Sequence, residues 1–548
     1  MTDRAIHKYD VIVIGAGAGG GVAAALLAEA GKTVLLLERG RRMTFADVGR
    51  DHLRNQRLSQ HGVNAGPNLA DNPRVFVDPQ GRSRIIDATD GAYQNNAAAV
   101  GGGTQVYGAQ AWRYLPDDFR MASKYGVPAG SGLADWPISY EELAPYYERA
   151  EWELGVAGDE ADAGRNRPRH KEYPMPPLPL NIQGRVLRAG AQALGWDTQH
   201  VPLLINSVPR QGRDACAHCQ QCVGFACPTD AKNGTHNTMI PRALATGLCT
   251  LETEAMTERV IADGAGRATG VVYWNSAGEQ ITATSEVVVL SGGAVETARL
   301  MLNSKTDAHP NGLGNDHDMV GRNFQGHFYA GAVGWMDDSV WDGVGPGPTT
   351  ATIRFNHDND GIVGGGMLCD DFIMQPINFV KGSVPRGVPR WGKEHKEWVR
   401  HNYTRMLRVF GPVHDIPSPD ARISVDPDVR DRWGIPVVRI SGATHPETLR
   451  VHAFMNARAE EWLRASGAKN IHSDAATLSL SGGQHQAGTC RMGHDPKTSV
   501  TDTWGRVHGF DNLYIADGSL HVTNGGFNPV LTILALAFRV AGHIAESW

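Results

Sequence analysis

The sequence predicts an α/β protein in which a discontinuous Rossmann-like dinucleotide-binding domain carries a second, antiparallel-sheet domain for substrate. Three observations predict it. A strand, glycine turn, helix and strand follow one another over residues 9–40; short strands and an amphipathic helix return over 250–302; and a last strand, Gly/Pro turn and helix follow residue 475.

The first unit opens with the apolar run VIVI, ending at Ile14, followed by Gly15-Ala16-Gly17-Ala18-Gly19-Gly20, the helical stretch VAAALLAEAGK and the apolar run TVLLLE. The glycines of the fingerprint each do something mechanical. Gly15 permits the tight turn, Gly17 lets backbone approach a pyrophosphate, and Gly20 lets helix pack on strand. The helix N-terminus then faces the phosphates, and Glu38, eighteen residues past Gly20 at the end of the second strand, is placed to accept ribose hydroxyls. A glycine turn with no ligand would leave Glu38 unexplained.

Residues 182–248 hold a cluster of cysteines and then a helical segment. The runs TLETEAM, GVVYW and SEVVVLSGG read as strands and AVETARLMLNS as a helix, so the chain re-enters its first domain. From about 311 to 475 the composition shifts toward Trp, Pro, Asp and Gly with alternating stretches such as TATIRF and ARISVDP, the mark of an antiparallel domain with long loops. The tail combines NLYIAD, NGGFNPV and LTILALAFRVAGHIA. The expected division is therefore 1–115, 231–310 and 476–548 for dinucleotide binding, 116–230 for connecting and cap segments with the cysteines, and 311–475 for substrate binding. No internal repeat or heptad array is present.

Composition narrows the function. Hydrophobic residues at 41% and charged residues at 20% are globular values, and 65 glycines in 548 residues point to tight turns and close backbone approaches, as a large bound cofactor requires. A net charge of -6 without a basic run disfavours nucleic acid as a partner. No stretch reaches the roughly 18 consecutive apolar residues of a membrane span, and the N-terminus lacks a secretory apolar core, so a cytoplasmic location is expected.

The tail carries a further pattern: His485-Gln486-Ala487-Gly488-Thr489-Cys490-Arg491-Met492-Gly493, then NLYIADGS with Asp517 and Gly518, then Asn528-Pro529. Together with Gly102-Gly103-Thr104, DWPISYEELAPYYERAEWELGV, Val320-Gly321-Arg322-Asn323 with His327, and DRWGIP, this resembles the glucose-methanol-choline (GMC) flavoprotein oxidoreductases, in matching order over nearly the whole chain. The resemblance implies the FAD-binding architecture of that family, akin to p-hydroxybenzoate hydroxylase. It implies that His485 is the catalytic base beside the flavin and Asn528 its partner. It further implies that Gly15, Gly17, Gly20, Glu38, Gly102, Gly103, Thr104, Val260, Asp517 and Gly518 meet the cofactor, with the Val260 backbone at adenine. Where some members attach FAD through a His near Gly102, this chain aligns Tyr107, so a non-covalent flavin is expected. His327 is read as structural.

The chemistry needs these residue types. Oxidising an alcohol removes a hydroxyl proton and a hydride, and a neutral imidazole is a suitable proton acceptor near neutrality. An amide at Asn528 would hold the same hydroxyl and orient the reacting C–H bond.

Four of the seven cysteines form Cys216-x2-Cys219-x2-Cys222-x4-Cys227-Pro228, one residue longer at the last spacing than the bacterial ferredoxin run. Three readings stand: an iron-sulfur cluster, as the similarity to bacterial sugar dehydrogenases of the family implies, a zinc knuckle, or a loop without metal. With a cluster, electrons would leave to an acceptor protein or small subunit, and export with a signal-bearing partner follows the same resemblance. Without one, oxygen is the natural acceptor. The substrate expected is a sugar, polyol or glycoside, because Trp112-Arg113-Tyr114-Leu115-Pro116-Asp117-Asp118-Phe119 resembles sugar-oxidising members and the substrate domain is rich in polar and aromatic residues. A sterol or long-chain alcohol is the alternative, and a flavin-containing lyase the rival from another class.

Overall fold

The computed structural model of the chain describes residues 7–48, 66, 72–94, 97–163, 167–372, 374–385, 387–481 and 484–548. Its centre is a seven-stranded sheet in the order Cys249–Thr253, Val34–Glu38, His7–Ile14, Gln280–Leu290, Ala268–Trp274 and Met256–Ala262, with Leu513–Ile515 also pairing Gln280–Leu290. The strand His7–Ile14 runs parallel to both neighbours, Val11 lying opposite Val34 on one side and Val287 on the other. Val11, Ile12, Val13, Val34, Leu35 and Leu36 are fully buried, as continuous apolar runs must be in a sheet covered on both faces. Helix Ala18–Glu29 packs on this sheet and against helices Met239–Ala245 and Val530–Ser547. That packing requires its glycines: a Cβ on Gly20 would stand 1.8 Å from the Gly15 carbonyl oxygen, and one on Gly19 would stand 1.6 Å from that of Ala516.

Helix Val530–Ser547 is long and apolar enough by composition to cross a membrane. Here it is a core helix, with Leu531, Leu534, Leu536 and Phe538 buried and contacts to helices Ala18–Glu29 and Tyr140–Leu154.

A second, six-stranded sheet is antiparallel throughout, in the order Lys469–His472, Tyr329–Trp335, Met406–Pro412, Leu368–Asp370, Thr350–Thr352 and Gln199–His200. Helix Pro446–Ala465 lies on it, burying Val451, Met455, Trp462 and Leu463 with Ala330, Leu407 and Val409. Its edge strand, Gln199–His200, comes from the connecting segment rather than from residues 311–475.

The stretch ARISVDP does not join that sheet. It lies in Arg422–Arg430, which with Pro436–Ser441, Arg74–Val77 and Ser83–Ile86 makes a separate four-stranded sheet. Buried charge explains the placement. Arg299 on helix Gly293–Asn303 reaches Asp431 at 2.7 Å, and Glu296 on the same helix takes Arg74 at 2.6 Å. Burial pushes the Glu296 carboxyl up, but Arg39, Arg74 and Arg299 hold it well below the usual carboxylate range. Removing one partner from such a network strands a buried charge, at a cost of about 3–5 kcal/mol.

Candidate active site

Three backbone segments converge on the turn after His7–Ile14. Gly101 N–H donates to Ala16 O at 2.7 Å, and Thr235 Oγ1 donates to Gly17 O at 2.9 Å. Gly102, at φ +52, sits where a Cβ would come within 3.0 Å of Gly17 Cα, and Thr104 Oγ1 closes its turn on Gly101 O at 2.6 Å. Among the described residues, no atom other than those of each glycine and its own chain neighbours or helix lies within 4 Å of the position a Cβ would take on Gly17 or Gly103. Glu38 is buried at the sheet edge, accepting from Ala16 N at 3.0 Å and Gly40 N at 2.8 Å, so its remaining lone pairs can take ribose hydroxyls. His236, which no sequence motif marks, is buried against Gly101 with Nδ1 unpartnered. Phosphate-facing glycines, an acid at the second strand and an orphaned buried ring nitrogen fit a dinucleotide cofactor lying along this knot.

Two expected cofactor residues have atoms engaged within the protein. The Val260 N–H is taken by Ser304 Oγ at 2.9 Å, so it is no free donor for a base; the residue beside Glu38 is Ala255, whose N–H donates to Glu38 O at 2.9 Å. The Asp517 carboxylate is fully engaged within the protein. Its Oδ2 accepts from Gly293 N and Thr297 Oγ1, and its Oδ1 from Ser519 N and Ser519 Oγ, at 2.6–2.9 Å. Its side chain therefore fixes the start of helix Gly293–Asn303 and the turn Gly518–Leu520, leaving contact with a cofactor to backbone.

The same turn carries the cofactor groove to the reaction centre. Ala516 O packs against Gly19, and a Cβ on Gly518 would stand 2.8 Å from Gln486 O, next to His485. His485 adopts φ +62, and its carbonyl is held by Asn524 Nδ2 at 2.8 Å. The same Asn524 amide donates to Gly326 O at 3.0 Å, and its Oδ1 accepts from Tyr114 OH at 2.9 Å. One buried asparagine thus pins the chain at both His485 and the residue before His327.

The ring contacts define the proton inventory. His327 Nε2 is 2.6 Å from Gly525 O, a group that only accepts, so Nε2 carries the proton. Burial first, and the neighbouring His485 ring second, hold the His327 pKa well below its ordinary value, so the ring is neutral and Nδ1 offers a lone pair. His485 Nδ1, 2.8 Å away, must donate to it. Desolvation lowers the His485 pKa to about 3, leaving that ring neutral as well, and its Nε2 bears the free lone pair. Asn528 Nδ2 faces Nε2 at 3.2 Å, and Tyr329 OH stands 3.5 Å from Asn528 Nδ2 and 3.4 Å from His485 Nδ1. Tyr329 was not among the expected site residues, although its spacing of two from His327 places both on one face of an extended segment.

Behind this centre, Asp118 Oδ1 accepts from His414 Nε2 at 2.6 Å and His357 Nε2 at 3.1 Å. The shorter separation is that of a charge-assisted hydrogen bond and is too close for two ligands of one ion, so the group is a clamp between segments. Among the described residues it is one of two groups of three whose ligand atoms lie within 4.8 Å of one another, and the cysteines are in neither. A single tetrahedral zinc, with Zn–S of about 2.3 Å, would gather its sulfurs more tightly than that. The cysteine loop nevertheless lies against the glycine turn: Gly224 N–H donates to Val106 O at 2.7 Å, and Lys232 Nζ donates to Tyr107 O at 3.0 Å and Phe225 O at 2.8 Å. Burial pushes the thiols up, Cys216 to about 11 and Cys222 to about 12, and Cys219 in the same direction. Tyr107 is tied through its hydroxyl to Asn233 O.

A glycine turn with an acid at the end of the next strand, leading to a neutral histidine beside a carboxamide, fits an oxidoreductase of the two-domain flavoprotein class. GMC oxidoreductase family models match residues 9–329 and 417–537. The chain belongs to the GMC oxidoreductases, which are FAD-binding enzymes. It is 32% identical to 6'''-hydroxyparomomycin C oxidase of Streptomyces lividus, covering 98% of this chain and 91% of that protein. It is 31% identical to 2-methyl-1,2-propanediol dehydrogenase of Mycolicibacterium austroafricanum, covering 100% and 96%. Its fold is similar to that of pyridoxine 4-oxidase from Mesorbium loti, with a TM-score of 0.64 at 19% identity over 98% of this chain and 99% of that one.

Proposed function

We propose that the protein oxidises a CH–OH group of a neutral sugar, polyol or glycoside, with His485 as the base and Asn528 as the group that orients the carbinol. The observation that carries this reading is the hydrogen-bond relay from Gly525 O through His327 to His485, which leaves the Nε2 lone pair beside Asn528. FAD, when bound along the 15–20 turn without a covalent link, supplies the hydride acceptor.

His485 Nε2 takes the hydroxyl proton, and Nδ1–H stays on His327. The imidazolium formed is stabilised by that neutral partner, which accepts the Nδ1–H bond. Asn528 Nδ2–H donates to the carbinol oxygen and holds it in line with Nε2. Burial accounts for the shift of the His485 ring, so the base is neutral before it takes the hydroxyl proton. The diol and aminoglycoside named for the two relatives supply such hydroxyl-bearing carbons.

Anaerobic addition of sugars and polyols to the yellow holoenzyme is expected to bleach the flavin. Absence of bleaching across the panel refutes oxidation, and substrate cleavage without bleaching supports a lyase instead. For the cysteine loop we propose a multi-iron cluster as the way out for electrons toward an acceptor protein, supported by four thiols in one loop beside Tyr107 and by the ammonium of Lys232 within their field. Iron and acid-labile sulfide in anaerobically purified protein test it; finding neither removes the cluster and leaves oxygen as the acceptor.

A further inference from the structure

The reaction centre offers more hydrogen-bonding capacity than one carbinol uses. A single hydroxyl donates to His485 Nε2 and accepts from Asn528 Nδ2. Two polar atoms remain. Asn528 Oδ1 is buried with no partner. Tyr329 OH makes only the two long contacts, 3.5 Å to Asn528 Nδ2 and 3.4 Å to His485 Nδ1, and that Nδ1–H is already committed to His327 at 2.8 Å. Leaving a buried acceptor unpaired costs about 1–3 kcal/mol, so Asn528 Oδ1, without a partner beside a phenol held only by long hydrogen bonds, leaves the site able to take a further ligand group.

The phenol is also fixed in place. Its ring stacks on Phe410 at 5.5 Å and 24°, and its backbone pairs with Pro412 at the first position of the strand Tyr329–Trp335. Desolvation raises its pKa, so the group remains a phenol, able both to donate and to accept. Arg408, whose guanidinium lies 5.1 Å from the Phe410 ring, is paired with Asp371 at 3.3 Å, and the side chains acting on the phenol itself are those of Cys369 and Asn528. Recognition beside Tyr329 is therefore neutral hydrogen bonding.

We propose that Tyr329 OH, with Asn528 Oδ1, binds a second hydroxyl on the carbon next to the one oxidised, making the enzyme selective for 1,2-diols and vicinal polyols over simple alcohols. Gauche vicinal oxygens stand within hydrogen-bonding range of each other, so a second hydroxyl falls within reach of the two groups that flank the first one's partners. A simple alcohol would place a C–H there, leaving Asn528 Oδ1 unpaired and Tyr329 OH on its long contacts, and this form of rejection is steeper than that of an apolar pocket. The inference rests on the oxidation reading above and adds the identity of the neighbouring group.

The test compares wild type with Tyr329→Phe in anaerobic flavin reduction by propane-1,2-diol and by propan-1-ol, with bound FAD and melting temperature measured for both proteins. Wild type is expected to favour the diol by about tenfold or more in kcat/KM, and Tyr329→Phe to lower the ratio of diol to propan-1-ol kcat/KM by about tenfold or more. Equal loss on both alcohols would show that the hydroxyl only supports His485 and would overturn the inference. A wild type with no preference for the diol overturns it as well. Holoenzyme that no alcohol, glycerol or sugar reduces refutes the oxidation reading itself, and this inference with it.

Discussion

Replacing His327 with Phe keeps a ring of similar size and removes both of its hydrogen bonds. In the native protein His485 Nδ1–H has a partner at 2.8 Å, and Asn528 Nδ2 reaches Nε2 at 3.2 Å. Without His327, the Nδ1–H tautomer loses a bond worth about 1 kcal/mol and leaves a buried N–H unpaired at about 1–3 kcal/mol. The opposite tautomer gains instead, because Asn528 Oδ1, now unpartnered, can accept from Nε2–H after an amide flip, and Nδ1 can accept from Tyr329 OH. The competent tautomer is thus disfavoured by about 2–4 kcal/mol, or about 30- to 1000-fold in population. Stopped-flow flavin reduction under anaerobic conditions should slow by that factor with FAD still bound. His327→Asn, whose side-chain oxygen can accept from His485 Nδ1, should recover part of the loss. A His327→Phe enzyme that reduces flavin at the native rate, or a His327→Asn enzyme no faster than the Phe variant, would refute the relay.

Truncating the base itself, His485→Ala, should retain FAD and cut flavin reduction by about 100- to 10,000-fold, and near-native reduction would remove His485 from the chemistry. Among the described residues, an added Cβ in Gly17→Ala meets nothing within 4 Å beyond its own chain neighbours and helix, so the apoprotein should melt normally while FAD affinity drops; unchanged affinity would place the cofactor elsewhere. Acid should destabilise the fold. His485 and His236 are lowered to about 3, His521 to about 4 and His327 well below the ordinary 6.5, so each stays neutral in the fold where the unfolded chain is protonated. Unfolding therefore takes up protons, and stability falls as pH drops below about 6.5, by about 1.4 kcal/mol per group per pH unit. Asp370, pushed up to about 6, acts in the opposite sense, as do the raised carboxyls of Glu38, Asp415 and Asp517 at lower pH. A melting temperature that is flat or rises as pH falls from about 6.5 to about 5 would contradict this balance of groups.

The glycine fingerprint and the tail residues were legible because they are local: a turn between apolar runs, and a His and an Asn held in a motif of fixed order. What stayed hidden depends on contacts between distant segments. His327 meets His485 across 158 residues and Asn524 meets Gly326 across 198, and no periodicity announces either pair. The four-stranded sheet was missed for the same reason, since Arg439 pairs with Val75 and nothing local to ARISVDP distinguishes one antiparallel partner from another. Asp517 and Val260 show the converse case: both lie in segments that the motifs marked, and the structure ties the Asp517 carboxylate to Thr297 and Ser519 and the Val260 N–H to Ser304, engagements no local pattern announces.

The pairing of Leu513 with Val288 and of Val11 with both Val34 and Val287 has a consequence for how this chain comes into being. During synthesis the strands His7–Ile14 and Val34–Glu38 leave the ribosome long before Gln280–Leu290, which flanks the first of them, and longer still before Leu513–Ile515. Loop-closure entropy on this scale makes assembly of the nucleotide groove a slow, late event, with apolar strand edges exposed in the interval. Production of active enzyme should therefore depend on chaperone capacity, and removal of helix Val530–Ser547, which packs on Ala18–Glu29, should yield aggregated apoprotein rather than a smaller working domain.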